Sequence, residues 1–593
     1  MGFAELRKDP FVRHGLIWRC ILVSALIAVW PGLARAYDVR IDGITSDELY
    51  ETAKAISVAY QGREEAPRRS VLYQRMQRDI QGLTDLLYSH GYYDASVDGR
   101  LTGEGIRFTI VMGERFTYAE PQLTFEGSRP EKFKFKFEYH GVTKGAPATA
   151  KPVNQARAAL EDTMAAMGFY GAAYPCLEQL ADHRTKQLVI KWCVKPGPVH
   201  HVRDVTVKGS EDVKTDYVLV VADVRDGAVL TPELQTLTAR RLAQSGLFKT
   251  ISVEPRVIDP ATGDTVIDIT LDDGHHRTVS LGARYSTSEG AGVTAGWTHR
   301  NFFGRGERLS IDATLMQLLQ GLTLDFAKPA FMTRTRTLTF KTGFEREDTD
   351  AFKTERFEIG SGVEQVFNED TTLSLGLTFE TQKEEREMND PRLTLLTLTG
   401  GVIYDGRDHV LDPTSGVRLA LTVAPSWGII HSGGQFTRIR GSASAYQKFH
   451  LLTDHVLAGR INLGTLLGAD RVNIPSDRLF YAGGGGSIRG FEYQSVGPED
   501  AQGDPAGGRS VVETSVELRS QVTEDIGIVG FVDGGGVNPT LSPFPPDEFR
   551  FGAGLGARYK TPAGPIRFDI ATPLDRRDDE AWVQIYISIG QAF

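Results

Sequence analysis

Long apolar runs are scarce in this chain. Past Tyr37 none approaches the roughly 20 residues that a membrane-spanning helix needs, so the chain after that point is either water-soluble or crosses a bilayer as strands. Excess positive charge is also missing: 66 Lys and Arg stand against 76 Asp and Glu, a net charge of -10. That balance excludes a nucleic-acid partner held by surplus Lys and Arg. Nucleotide-driven work is excluded by the lack of a Gly-x-x-x-x-Gly-Lys-Ser/Thr loop, and hydrolase chemistry by the lack of a Gly-x-Ser-x-Gly elbow. The pairs His200-His201 and His275-His276 lack the companions of a metal site. Adjacent strand residues point to opposite faces, so these four are expected to be solvent-facing turn residues. Neither a cofactor nor a catalytic residue is expected, and the chain does not read as an enzyme.

Cysteine is sparse as well, with three in all: Cys20, Cys176 and Cys193. Basic residues Arg7, Lys8, Arg13 and Arg19 lead into a largely apolar run, Ile21 to Trp30, and then to Ala34-Arg35-Ala36. This order reads as a secretory signal peptide over residues 1–36, with the mature chain starting at Tyr37. About 10 apolar residues are too few for an anchor. Cys20 would leave with the signal, and Arg19 beside it argues against a lipoprotein. Cys176 and Cys193 then remain in an oxidising compartment, on segments that read as neighbouring strands. A disulfide and two free thiols are both compatible with this placement.

What the chain does have is a repeat. Gly91-Tyr92-Tyr93, Gly168-Phe169-Tyr170 and Gly246-Leu247-Phe248 recur at intervals of 77 and 78 residues, the mark of a modular array. Eight and four positions before each glycine stand Leu83 and Leu87, Leu160 and Met164, Thr238 and Leu242, which share one helix face. Glycine then caps the helix and the aromatic residues open a strand. A second strand follows each time, at Arg107–Met112, Leu188–Val194 and Thr265–Leu271. Three α+β modules result, over 37–115, 116–199 and 200–277.

From residue 278 to 593 short alternating segments take over. Val583, Ile585, Ile587 and Ile589 face one way in the last of them, and Gln584, Tyr586 and Ser588 the other. An apolar exterior over a polar interior suits a transmembrane strand. At about 20 residues per strand with its connection, this region holds about 16 strands, and closure into an antiparallel barrel would satisfy their backbone groups. Other segments that read as strands are Leu309–Met316, Thr335–Gly343, Thr371–Glu380, Val417–Val423 and Arg550–Tyr559.

Several motifs carry a resemblance. Gly483 to Phe491 reads Gly-Gly-Gly-Gly-Ser-Ile-Arg-Gly-Phe, Asn301 to Glu307 reads Asn-Phe-Phe-Gly-Arg-Gly-Glu, and Tyr404-Asp405-Gly406-Arg407-Asp408 precedes Pro413 and Gly416. Thr561-Pro562-Ala563-Gly564-Pro565-Ile566-Arg567 enters the penultimate strand, and the chain closes on Trp582, Tyr586 and Phe593. Together these resemble the BamA/TamA (bacterial surface antigen) family of outer-membrane assembly factors, and the modules resemble its polypeptide-transport-associated (POTRA) domains. The resemblance implies that Ile488, Arg489, Gly490 and Phe491 form a loop folded into the barrel lumen. Arg489 would meet Asp533 of Phe531-Val532-Asp533-Gly534 and, as a second candidate, Glu517. The terminal aromatic residues would act as an insertion signal. The lateral seam would lie between Val279–Tyr285 and Val583–Phe593, with Gly590 weakening the last strand.

Also by resemblance, the modules sit in the periplasm and the barrel in the outer membrane, surrounded by its lipid. The implied work is insertion or export of outer-membrane and surface proteins, including autotransporter-like clients, without nucleotide hydrolysis. Three modules point to the TamA branch, with a TamB-like periplasm-spanning partner. A BamA-like general insertase, a two-partner-secretion transporter and a passive channel are the alternatives.

Overall fold

The structure is a computed structural model that describes residues 37–589 except 64–67, 104, 386–391, 431–433, 452, 545–548, 562–565 and 579. The expected signal peptide, Gly590, Phe593 and most of the turn at 561–567 therefore lie outside the described residues. The chain divides into two compact units: one runs to Met164 and takes in Gly171–Pro196, and the other holds Ala165–Tyr170 and everything from Gly197.

The first unit contains two small sheets. In one, Gly105–Val111 lies between Asp38–Asp42, parallel, and Ser96–Leu101, antiparallel. Helix Arg69–Ser89 covers it and buries Leu83 and Leu87 against Ile106 and Phe108, the face that the four-residue spacing marks. Asp79, buried on that helix, accepts from Ser57 Oγ (2.6 Å) and from the Val58 and Ala59 amides (2.8 and 2.9 Å). It thereby satisfies the start of the short helix Val58–Gln61. In the other sheet, Gln187–Lys195 pairs antiparallel with Ala173–Asp182, and parallel with Thr117–Tyr118 and Gln122–Phe125. Helix Ala150–Ala166 supplies buried Leu160 and Met164. Cys176 and Cys193 stand opposite each other on this ladder and are joined as a disulfide. The two modules meet at Asp94, which accepts from His183 Nδ1 at 2.5 Å and from Lys186. These two partners hold its carboxyl below the usual range.

The second unit opens with a third sheet, in which Asp264–Asp273 lies between His201–Lys208 and Phe248–Asp259. Helix Pro232–Gln244 begins on a Thr231 cap, whose Oγ1 accepts from the Leu234 amide at 3.1 Å. It buries Thr238 and Leu242. On this sheet Arg256 and Thr206 hold Asp268 down to about 2. Gly91, Gly168 and Gly246 all adopt positive φ, at 92°, 90° and 65°, as helix-ending glycines do. Two expectations are corrected here. The strand after the glycine opens at Ser96 and Ala173 in the first two modules, because a further turn, with Ala95 N–H bonded to Tyr92 O in the first, comes before the chain extends. His200 is not solvent-facing: it is 3% exposed, and its Nδ1 lies 3.0 Å from Thr265 Oγ1. The sheet covers its ring, which alternation within its own segment could not reveal.

The remaining chain is a closed antiparallel barrel of sixteen strands, the number that its length implies. They run β1 Arg277–Ser286, β2 Gly290–His299, β3 Arg308–Met316, β4 Leu319–Lys328, β5 Arg336–Asp348, β6 Lys353–Val366, β7 Thr371–Glu385 and β8 Arg392–Asp405. Then follow β9 Gly416–Ile430, β10 Phe436–Leu451, β11 Thr453–Gly468, β12 Ser510–Gln521, β13 Ile526–Asn538, β14 Arg550–Tyr559, β15 Ile566–Pro573 and β16 Gln584–Ile589. Alternation sorts the faces. Val516, Leu518, Val532, Phe568 and Ile570 are exposed outside, while Ser515, Glu517, Asp533 and Asp569 are buried inside.

The turn between β2 and β3 does more than reverse the chain. Gly304 and Gly306 take positive φ, and Asn301 Oδ1 accepts from the Gly306 amide at 2.9 Å. Asn301 Nδ2 reaches across to Asp212 O of the third module at 2.8 Å, while the Lys214 amide donates to Gly304 O at 2.8 Å. Arg305 and Asp216 add an ion pair at 2.6 Å. The Asn-Phe-Phe-Gly-Arg-Gly-Glu segment is thus the seat on which the third module rests.

Candidate functional site

The connection between β11 and β12, residues 469–509, enters the lumen and packs on the inner wall. Its glycines are there for close approach. A Cβ on Gly483 (φ 107°) would come within 2.5 Å of Glu492 O, and one on Gly490 (φ 102°) within 2.9 Å of the Thr572 carbonyl carbon. On the wall, a Cβ on Gly552 of β14 would stand 1.9 Å from Arg489 O. The bare backbone there is the slot that receives the loop.

Arg489 lies at the centre, 2% exposed. Its guanidinium forks onto Asp533, with Nε to Oδ2 at 2.6 Å and Nη2 to Oδ1 at 2.8 Å, and its own amide donates to Oδ2 at 3.1 Å. Nη1 pairs with Glu517 Oε1 at 2.8 Å and with Asp569 Oδ2 at 3.2 Å. The plane of the group covers the Phe531 ring at 3.4 Å from its centroid. The acids are themselves braced: Arg519 pairs with Glu517 at 2.9 Å, and Arg558 and Arg567 bond Asp569. Ser515 Oγ donates to Asp533. A buried guanidinium survives only when paired and hydrogen-bonded, and this one is met on every side. Sequence reading named Asp533 and Glu517; it missed Asp569, Ser515 and the three bracing arginines. The available signal was charge at alternate positions, Glu517 and Arg519 on β12 and Arg567 and Asp569 on β15.

A second anchorage was not anticipated. Before the glycines, Asp477 accepts from Arg356 Nη1 and Gln382 Nε2, both at 2.9 Å, while Arg478 pairs with Glu380 and Ser476 bonds Glu384. Those partners sit on β6 and β7, away from β12–β15, so the loop is fastened to two separate parts of the wall.

Among the described residues, the seam is where the barrel is least paired. β1 and β16 pair only at Tyr285–Ile587 and Ser286–Tyr586 among the described residues, with the Thr287 amide donating to Ile585 O at 3.1 Å. The flanking ladder of β1 with β2 is far longer, from Arg277–His299 to Ser286–Gly290. Tyr586 faces inward and is 4% exposed. Its hydroxyl accepts from the Gly490 amide at 3.1 Å and donates to Phe491 O at 3.4 Å. Across the seam, Glu289 in the turn after β1 accepts from the Gly485 amide at 3.3 Å. One loop therefore bonds both margins of the seam. A cavity of about 340 Å³ lies beside it, lined in part by Arg284, Glu289, Tyr493 and Tyr586. Trp582 precedes β16, exposed, with the Arg576 guanidinium 4.1 Å from its ring centroid. The cysteine pair belongs to the first unit.

Residues 301–593 match the model of the Omp85 superfamily domain. Among curated proteins, the outer membrane protein assembly factor BamA of Nitratidesulfovibrio vulgaris is 24% identical over 549 residues, covering 87% of this chain and 68% of that protein. The protein of the same name from Neisseria meningitidis serogroup B is 21% identical, with 88% of this chain and 73% of its own length covered. Among solved structures, BamA from Haemophilus ducreyi lacking POTRA domains 1-3 aligns with a TM-score of 0.66 at 18% identity, covering 80% of this chain and all of that one. That alignment speaks to the fold alone.

Proposed function

Since residues 301–593 match the Omp85 superfamily domain, we propose that the chain inserts or exports outer-membrane proteins as a BamA-like assembly factor. Unfolded clients dock on the α+β modules and pass to the seam between β1 and β16. The observation that carries this reading is the β1–β16 ladder, short among the described residues, beside a lumen loop that bonds both of its margins. Among the described residues, edge strands Ala173–Asp182 and Phe248–Asp259 each have one unpaired side in their sheets, and an extended client can add to such an edge. The client's own folding free energy, or a periplasm-spanning partner, drives the step. The loop motif around Arg489 acts as a plug that sets barrel shape.

The finer assignment, to the TamA branch with a TamB-like partner and autotransporter-like clients, rests on the three sheets before the barrel. Depletion followed by an inventory of the outer membrane separates the branches. Loss of a subset of barrel proteins supports the TamA role, general collapse supports the BamA role, and an unchanged inventory refutes both. The seam is tested by Tyr285→Cys with Ile587→Cys, a pair in register. Oxidation should abolish assembly and reduction restore it; full activity in the oxidised protein removes the lateral route.

A further inference from the structure

Where the third module meets the barrel lies a cavity of about 620 Å³, lined by residues of the segment before helix Thr215–Ala222, of the β1 entry and of the β2–β3 turn. Its volume falls within the ~300–1,000 Å³ range of ligand clefts. Its frame is fixed. Asp273 accepts from the Glu211 and Asp212 amides at 2.9 and 3.0 Å, and Asn301 holds Asp212 O. Within it His276 is an anomaly, since its side chain is 8% exposed and neither ring nitrogen has a hydrogen-bond partner among the described residues. Asp212 Oδ2 stands 3.6 Å from its Nε2. His299 accepts from the Asn301 amide on Nδ1 at 3.2 Å, so its neutral ring keeps the proton on Nε2 as a free-facing donor.

Two residues of the lining, Arg277 and His299, begin a row on the outer wall. Arg277 and His299 are register partners, followed on the same outward face by Val279 with Trp297 and Leu281 with Ala295. Val279 and Leu281 are 71% and 80% exposed. A row of aromatic contacts runs along this end of the barrel from Trp297 and His299 through Phe302 and Phe303 to Phe326 and Phe340. Aromatic rows of this kind mark the level of lipid headgroups. The lining carries Lys214 and Arg277 together with Glu211 and Asp212, one pair of each sign.

We propose that this cavity holds the zwitterionic headgroup of a phosphatidylethanolamine from the periplasmic leaflet. The phosphate lies toward Lys214 and Arg277 with His276 and His299 donating, the ammonium toward Glu211 and Asp212, and the acyl chains along Val279, Leu281 and Trp297. A lipid there sits under β1, one of the two seam strands, and ties the third module to the membrane surface. The site does not depend on whether the seam opens.

Native mass spectrometry of the full chain in detergent micelles tests it, with dioleoyl phosphatidylethanolamine and dioleoyl phosphatidylglycerol offered at equal concentration. The wild type should retain the ethanolamine lipid, and Arg277→Gln or Lys214→Gln should each lower that retention by about fivefold, the weight of one basic side chain against lipid phosphate. Heat-modifiable gel migration confirms that each variant is folded. Glu211→Lys, at an exposed side chain, should shift the preference toward the phosphatidylglycerol lipid. Equal retention of both lipids by the wild type, or no shift in Glu211→Lys, overturns the proposal. So does retention of glycerophosphoethanolamine, which lacks acyl chains, as strongly as of the lipid.

Discussion

Substitution of Arg489 is the sharpest probe of the lumen loop. In Arg489→Ala, Glu517 keeps Arg519, and Asp569 keeps Arg558 and Arg567. Asp533 keeps only the Ser515 hydroxyl and the backbone amide of residue 489 and loses its charge partner, because its ion pair among the described residues is with Arg489. An acid stranded in a site that is 1% exposed costs about 3–5 kcal/mol, and loss of the cover over Phe531 adds up to ~2 kcal/mol. Arg489→Lys keeps the charge but cannot fork onto Asp533, so its cost falls between wild type and alanine. The decisive variant is the double, Arg489→Met with Asp533→Leu, which removes both charges at similar volume and should cost less than Arg489→Ala. Urea unfolding in micelles, followed by tryptophan emission, gives the four free energies of the cycle built on Arg489→Met and Asp533→Leu. If the two single losses add to the double within about 0.5 kcal/mol, the sites are independent and the tether account is wrong.

Other outcomes follow from the same structure. Tyr586→Phe removes the hydroxyl that joins β16 to Gly490 and Phe491. At ~1 kcal/mol for a hydrogen bond, amide exchange across 483–491 should speed up several-fold while β12–β15 stay protected; unchanged exchange would dismiss the link. Cys176→Ser with Cys193→Ser opens a loop of sequence separation 17 and should cost about 3 kcal/mol by loop entropy, read as faster exchange in Ala173–Lys195 with the barrel unaffected. Burial lowers the pKa of His200 below its ordinary 6.5, so the unfolded third module binds the proton more readily than the folded one. Its contribution is complete above about 6.5 and declines as pH falls through the lowered folded value. Amide protection factors in His201–Lys208, which correct for the slowing of base-catalysed intrinsic exchange, should therefore fall from pH 7.5 to 5.5 in wild type and not in His200→Leu, and an equal fall in both would assign the effect elsewhere.

Much of the architecture was legible in the residues themselves, because periodicity is a local property. Leu83 with Leu87, Leu160 with Met164 and Thr238 with Leu242 lie on one helix face at any position in space, and all six are buried. The alternation in β16 likewise places Gln584 and Tyr586 inside without knowledge of the barrel. Chain length sets the strand number once closure is required. The loop motif and its Asp533 partner were readable only through family resemblance, since the spacing of 44 residues between them carries no local signal.

Tertiary structure alone decided the rest. Asp569 meets Arg489 because β15 lies two strands beyond β13 in the ring, and Asp477 meets Arg356 across 121 residues. His276 reads as an exposed turn residue until the barrel and the third module close over it. Asn301 reads as a turn residue until its amide reaches Asp212. Sequence by itself determined the modules, the barrel and its faces, which depend on contacts within a turn or a strand. The charge network, the seat of the third module and the bonds from the loop to both seam margins depend on which distant segments the closed barrel brings together.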